Sequence, residues 1–125
     1  MFDRVILIER DSLVREGLAV LLQGWGFDVA SGAHPRQALA RATDTVAPRV
    51  GVVFAPDGDA AHGARWIASL RFRYRNLPTV LVADDFTDAV LLPNCEHIAW
   101  PADPASLRHA IAAIVGYERR SLGVE

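Results

Sequence analysis

The chain has 125 residues and a formal net charge of -2, with a sequence pI near 6.1. This length is typical of one domain, and 51% hydrophobic against 22% charged residues exclude a globally disordered chain. The single cysteine, Cys95, excludes an internal disulfide and a multi-cysteine metal site, and the acidic balance argues against a DNA-binding domain.

All 13 basic residues are arginines, so any mechanism that needs an internal lysine is excluded. The N-terminal apolar run ends at Ile8, before Glu9. It is too short for a signal peptide, which needs about 7–15 apolar residues, or for a membrane span, which needs about 20. We therefore expect a cytoplasmic protein without membrane contact.

Short apolar runs alternate with segments of helical periodicity. Predicted strands cover residues 4–8, 27–31, 50–55, 79–83 and 97–100. The first predicted helix has Asp11 or Ser12 as its N-cap, places apolar residues from Leu13 to Leu22 at helical spacing, and is ended by Gly24 and Gly26. Further predicted helices cover residues 35–45, 60–74 and 104–117. Residues 85–92 leave room for one or two helical turns, so a shortened fourth helix is expected there, and residues 118–125 are expected to form a polar tail.

This alternation predicts an α/β domain over residues 1–117, built from five βα units as a doubly wound parallel sheet with helices on both faces. In such sheets, ligands bind outside the carboxyl ends of the strands. In this chain those ends are residues 9–11, 55–59, 83–85 and 100–101. These four segments are where we expect a functional site.

The layout resembles the receiver domain of two-component response regulators, a five-unit fold related to flavodoxin. The resemblance covers about residues 4–116 and is carried by the order and spacing of four segments. These are VILIERDSLVREGLAVLLQGWGFDV, PDGD followed by GARWIASLR, LPTVLVAD, and WPADPASLRHAI. It implies a flavodoxin-like architecture and a part in phosphorelay signal transduction.

The resemblance also implies five chemical groups at the strand ends. Two acids after the first strand hold Mg²⁺, and an aspartate ending the third strand accepts a phosphoryl group from a histidine kinase. A Thr or Ser ends the fourth strand, and a Lys beside a proline ends the fifth. Here the matching positions are occupied by Glu9 and Arg10 (with Asp11 following), Ala55, Ala83, Trp100 and Pro101. Of the lysine and proline at the end of the fifth strand, only the proline is kept. A register slip by one residue would place Phe54 at the acceptor position instead of Ala55.

The sequence therefore predicts an atypical receiver, or pseudo-receiver, that has kept the fold and lost phosphoryl transfer. It would act as a binding module and not as an enzyme. The expected partner is a protein, either a histidine kinase, a regulator, an output domain or a second copy of the chain. No cofactor is expected, and Glu9 and Asp11 are only weak candidates for Mg²⁺ ligands. Nucleic acid is not an expected partner.

Two rival hypotheses remain open on the residues alone. In the first, Asp57 or Asp59 is a displaced phosphoryl acceptor that works with Mg²⁺, although the sequence Pro-Asp-Gly-Asp also favours a plain turn. In the second, the chain is a small-ligand sensor that uses the pocket left at the strand ends. The second needs a cavity that Trp100 does not fill, whereas we expect the indole to lie across it.

Smaller features carry their own alternatives. Arg10 either replaces the metal as a built-in counter-ion, paired with one of the neighbouring acids, or is a solvated loop residue. The Trp100–Pro101 peptide is expected to be cis. Val90, Leu91 and Leu92 form a candidate interaction patch if they are exposed, or pack inward in the ordinary way.

Overall fold

A five-stranded parallel sheet forms the centre of the molecule in the computed structural model, which describes residues 3–42, 47–87 and 92–121. The strand order is β2-β1-β3-β4-β5, and every neighbouring pair is parallel. The strands are β1 (Arg4–Ile8), β2 (Asp28–Gly32), β3 (Pro48–Phe54), β4 (Thr79–Ala83) and β5 (Cys95–Ala99). The order reverses between β1 and β3, which places the switch point beside the predicted site.

Helices cover both faces of this sheet, as predicted. They are α1 (Ser12–Gly24), α2 (Pro35–Arg41), α3 (Ala60–Arg73) and α4 (Pro104–Ser121), with a 3₁₀ turn at Pro56–Gly58. The backbone of α4 continues to Ser121, into the segment predicted as a polar tail. Between β4 and β5, residues 84–87 and 92–94 form no helix, and the rest of the predicted short helix lies outside the described residues.

Alternate residues of the strands supply two apolar layers, because successive side chains of a strand point to opposite faces. One layer packs beneath α2 and α3 and includes Ile6, Ile8, Val53, Leu81 and Ala83. The other packs beneath α1 and α4 and includes Val5, Leu7, Val52, Phe54 and Val82. Burial on both faces explains why the inner strands read as continuous apolar runs.

Two aspartates start the helices that follow β1 and β3. The Asp11 carboxylate accepts hydrogen bonds from the amides of Leu13 and Val14 at the start of α1. The Asp59 carboxylate accepts one from the amide of Ala61 at the start of α3. These caps satisfy amides that have no partner within the helix, and they fix the two loops at the carboxyl edge of the sheet.

In the described part of the chain, no helix is both long and apolar enough to cross a membrane.

Candidate functional site

Ala55 directly follows β3 at the edge where the site was predicted. Its amide donates to the carbonyl of Val82 at 2.8 Å, and Phe54, the last residue of β3, pairs with Val82 in the sheet. The ring of Phe54 packs in the layer beneath α1 and α4, whereas Ala55 packs against the opposite layer. A methyl group therefore stands at the end of the central strand, where the resemblance places a phosphoryl acceptor.

The segment after β1 is held by hydrogen bonds that use its acidic groups. The amide of Asp11 donates to Oε1 of Glu9 at 3.1 Å, and the Asp11 carboxylate caps α1. Arg15 donates from Nη1 to the carbonyl oxygen of Glu9 at 2.8 Å. Both acids thus have structural partners within their own loop.

Arg10 reaches across to the loop after β3. Its Nη1 lies 3.2 Å from Oδ2 of Asp57, and the two side chains are 54% and 80% exposed. Of the acids considered as partners from the sequence, Asp57 is the one that it pairs with. An ion pair this exposed contributes at most about 1 kcal/mol to stability. Its effect is electrostatic, since it places a guanidinium where the resemblance implies a metal ligand.

The remaining acids at this edge have turn or capping contacts. Asp57 lies within the 3₁₀ turn at a φ of 55°, in the left-handed region, and Asp59 is the N-cap of α3. The amides of Asp84 and Asp85 both donate to the carbonyl of Gly58, at 3.1 and 2.9 Å. The two hydrogen bonds to Gly58 join the loops after β3 and β4. Hydrogen bonds from Thr87 lower the pKa of the Asp85 carboxyl.

The position of Trp100 differs from the expectation that its indole lies across the pocket at the strand ends. Its amide donates to the carbonyl of Ala83 at 2.8 Å, and the Trp100–Pro101 peptide is cis, as predicted. The indole packs edge-on against Phe54, with ring centroids 5.8 Å apart, and stays 47% exposed. The indole lies at one side of the space beyond the strand ends and does not fill that space, because the neighbouring strands place the indole against Phe54.

Two adjoining cavities lie at the carboxyl edge and share the walls formed by Glu9, Phe54, Ala55 and Asp57. The first, called here the strand-end cavity, has a volume of about 260 Å³. It is lined by Glu9, Val14, Phe54, Ala55, Asp57, Gly58, Val82, Ala83, Asp84 and Trp100. The second has about 340 Å³ and extends towards Arg10 and Asp11. Val14 was not predicted as a lining residue, because it shares the helical spacing of the core residues of α1; in the structure it is exposed.

The donor set at this edge does not fit the Mg²⁺ site that the resemblance implies. Mg²⁺ is bound by oxygen ligands, usually including one or two carboxylates. Here Arg10 places a cation at the edge and pairs with Asp57, while Asp11 caps a helix. Within residues 3–42, 47–87 and 92–121, no three His, Cys, Asp or Glu side chains are grouped so that they could hold a metal ion.

Other residues considered from the sequence lie away from this edge. Leu92 is half-buried against the layer beneath α2 and α3, while the remainder of the candidate patch, Val90 and Leu91, lies outside the described residues. Arg71, near the end of α3, donates to the carbonyls of Leu77 and Asn94. Burial raises the pKa of the Cys95 thiol, which makes it less reactive at neutral pH.

Solved structures of receiver domains have the same fold. A response regulator receiver protein from Sinorhizobium medicae WSM419 superposes with a TM-score of 0.74 at 15% identity, covering 92% of this chain and 95% of that one. The chemotaxis protein CheY4 of Vibrio cholerae gives a TM-score of 0.71 at 17% identity, covering 91% and 99%.

A multi-domain protein provides a third likeness. The N-terminal domain of a response regulator/sensory box/GGDEF 3-domain protein from Carboxydothermus hydrogenoformans gives a TM-score of 0.74 at 13% identity, covering 96% of this chain and 99% of that one. Comparisons with protein-family models and with curated proteins give no match. The chain therefore has the flavodoxin-like fold of CheY-like response regulator receiver domains, at identities that establish the fold alone.

Proposed function

We propose that this chain is an atypical receiver domain in a two-component signalling pathway that does not accept a phosphoryl group. It acts by binding another protein in the cytoplasm, as a module without catalytic activity of its own. The observation that carries the proposal is Ala55, a side chain without a nucleophile, directly after β3.

The groups around Ala55 support the same conclusion. Transfer to a carboxylate needs cations that offset the charge of the phosphoryl oxygens. The position at the end of β4 is Ala83, which is 1% exposed and has no hydroxyl. The position after β5 is Trp100, and the chain contains no lysine. Three separate contributions to phosphoryl chemistry are therefore missing together.

Signalling in this proposal depends on binding alone. In a receiver that is phosphorylated, a hydroxyl group at the end of the fourth strand could form a hydrogen bond to the phosphoryl group and so move a neighbouring loop. Ala83 has a methyl group at this position and cannot form that hydrogen bond. Partner binding would then select or stabilise one conformation of the domain. Suitable partners are a histidine kinase, a regulator, an output domain or a second copy of the chain.

The displaced-acceptor hypothesis has weaker support. Asp59 uses its carboxylate to cap α3, and phosphorylation would compete with that hydrogen bond to Ala61. Asp57 is exposed and paired with Arg10, which offers one cation, but the missing lysine and hydroxyl would leave the remaining charge without stabilisation.

Incubation with acetyl phosphate and Mg²⁺, followed by intact-protein mass spectrometry, tests the proposal. We expect no mass increase of one phosphoryl group, while a receiver domain with an acceptor aspartate gains it under the same conditions. A gain that disappears in Asp57→Asn or Asp59→Asn would overturn the proposal and identify the displaced acceptor.

A further inference from the structure

The strand-end cavity combines an apolar inner wall with an acidic rim. Its inner wall contains Phe54, Val82 and Ala83, which are 8%, 3% and 1% exposed. The half-exposed indole of Trp100 forms one side. Apolar walls with a few charged groups at the opening are typical of sites that bind an organic group and not a bare ion.

The charges at the rim are mostly negative. The carboxylates of Glu9, Asp57 and Asp84 line the cavity, and in the described part of the chain the ion pair at this edge joins Arg10 to Asp57. Among the described residues, the carboxylates of Glu9 and Asp84 form no ion pair, and the neighbouring Arg15 donates to the carbonyl of Glu9 and not to its carboxylate. The cavity is therefore complementary to a positive charge and unfavourable for a phosphate or another anion.

The volume of the strand-end cavity limits the size of the ligand that it can bind. Pockets for drug-sized ligands have volumes of about 300–1,000 Å³. The strand-end cavity, at about 260 Å³, lies just below that range and suits a group as large as one amino-acid side chain. An indole face attracts guanidinium and ammonium groups, and the methylenes of such side chains pack on apolar surfaces.

We propose that the strand-end cavity binds an organic cation, a guanidinium or ammonium group on an apolar stem. The cation is either a free amine or an arginine or lysine side chain that a partner presents. The acidic rim holds its charge, Trp100 lies beside it, and the stem contacts Val82 and Ala83. This inference rests on the proposed function, because a phosphoryl group after β3 would occupy the same space.

An NMR titration with Nα-acetyl-arginine methylamide tests the site. We expect saturable shifts of the Trp100 indole N–H and of the amides of residues 55–59 and 83–85. The matched control is the citrulline analogue, which has nearly the same shape without the charge, and we expect it to bind at least about fivefold more weakly. Equal binding of the two probes would overturn the proposal.

Variants of the rim provide the second readout. Glu9→Gln and Asp84→Asn keep the size of each side chain, and each should weaken binding by about two- to fivefold, the range for one exposed charge pair. Glu96→Gln, on an exposed position of β5 outside the cavity lining, should leave binding unchanged. If neither rim variant weakens binding, the site is not the one proposed.

Two further probes distinguish the sources of the cation. Tighter binding of a short Gly/Ser peptide that contains one arginine would assign the cation to a partner protein, whereas tighter binding of agmatine would assign it to a free amine. Either result supports the cation site, and shifts from neither probe would overturn it. Phosphoryl acceptance is measured separately by mass spectrometry, so failure of the proposed function and failure of this inference are distinguishable.

Discussion

Arg10 brings a positive charge to the carboxyl edge of the sheet. Its guanidinium lies 3.2 Å from the Asp57 carboxylate. A divalent cation would have to compete with the Arg10 guanidinium for Asp57 as a ligand. We therefore expect the pairing of Arg10 with Asp57 to weaken the binding of Mg²⁺ at this edge.

Replacing this residue should therefore create metal affinity. In Arg10→Asp, the positive charge is removed and a carboxylate is added beside Glu9 and Asp57. We expect saturable amide shifts in residues 9–11 and 55–59 at millimolar Mg²⁺, against none in the unmodified chain. Arg10→Gln serves as the control, since it removes the charge without adding a ligand. The explanation fails if Arg10→Asp binds no more Mg²⁺ than Arg10→Gln.

At the scale of elements, the close approach of α3 to β3 and β4 positions the loop after β3. A Cβ at Gly63 would lie 2.6 Å from Cδ1 of Leu81 and 3.0 Å from Cβ of Ala55. Only a residue without a side chain therefore allows α3 to pack this closely beneath the site. At Gly17, in the middle of α1, no atom beyond the adjacent backbone of its own helix lies within 4 Å of the corresponding position.

These two glycines form a matched pair for measurement. Gly17→Ala should raise the free energy of unfolding by about 0.5–1 kcal/mol, because alanine favours a helix more than glycine does. Gly63→Ala receives the same helical gain but must displace Leu81 and Ala55, so we expect it to be about 1–3 kcal/mol less stable than Gly17→Ala. Urea unfolding followed by circular dichroism gives both values. Equal stability of the two variants would contradict the packing described here.

Arg71 joins three elements at the opposite edge of the sheet. Its guanidinium donates to the carbonyls of Leu77 and Asn94 and to the hydroxyl of Thr79, connecting α3 to the starts of β4 and β5. Burial lowers the pKa of this guanidinium, consistent with its half-buried position. Arg71 therefore has a structural role at this edge.

Arg71→Met should destabilise the domain by about 2–4 kcal/mol, since it leaves half-buried carbonyl oxygens without donors. Arg65→Met is the control on the exposed face of the same helix, and its effect should stay within about 0.5 kcal/mol. Chemical denaturation measures both. A loss of similar size in the two variants would mean that the Arg71 hydrogen bonds contribute little.

At the scale of the whole molecule, the fold could be predicted because its determinants are local and redundant. The strands β1 and β4 were predicted with their observed bounds. Both faces of each strand are buried, so the ends of the continuous apolar run indicate where the strand begins and ends. The start of β5 was predicted two residues late, because Cys95 and Glu96 do not belong to an apolar run. Helix α2 was predicted to run to residue 45; it ends at Arg41 in the structure, and residues 43–45 lie outside the described residues.

Less of the candidate site than of the fold could be predicted from the sequence. Position along the strands identified Ala55, Ala83 and Trp100, because strand ends follow from the apolar runs. Whether Trp100 fills or borders the cavity depends on its packing against Phe54, a contact between distant segments that periodicity does not encode. The pairing of Arg10 with Asp57, instead of a nearer acid, likewise depends on the left-handed turn at Asp57.

The proposal that this domain does not accept a phosphoryl group can be tested on the unmodified chain by an amide-shift NMR titration. Mg²⁺ is added first and then beryllium fluoride, which mimics a phosphoryl group on an aspartate. We expect no saturable shifts in residues 9–11, 55–59 and 83–85. Saturable shifts in these segments on addition of beryllium fluoride, extending to β5, would mean that the chain contains a working acceptor and that the proposal is wrong.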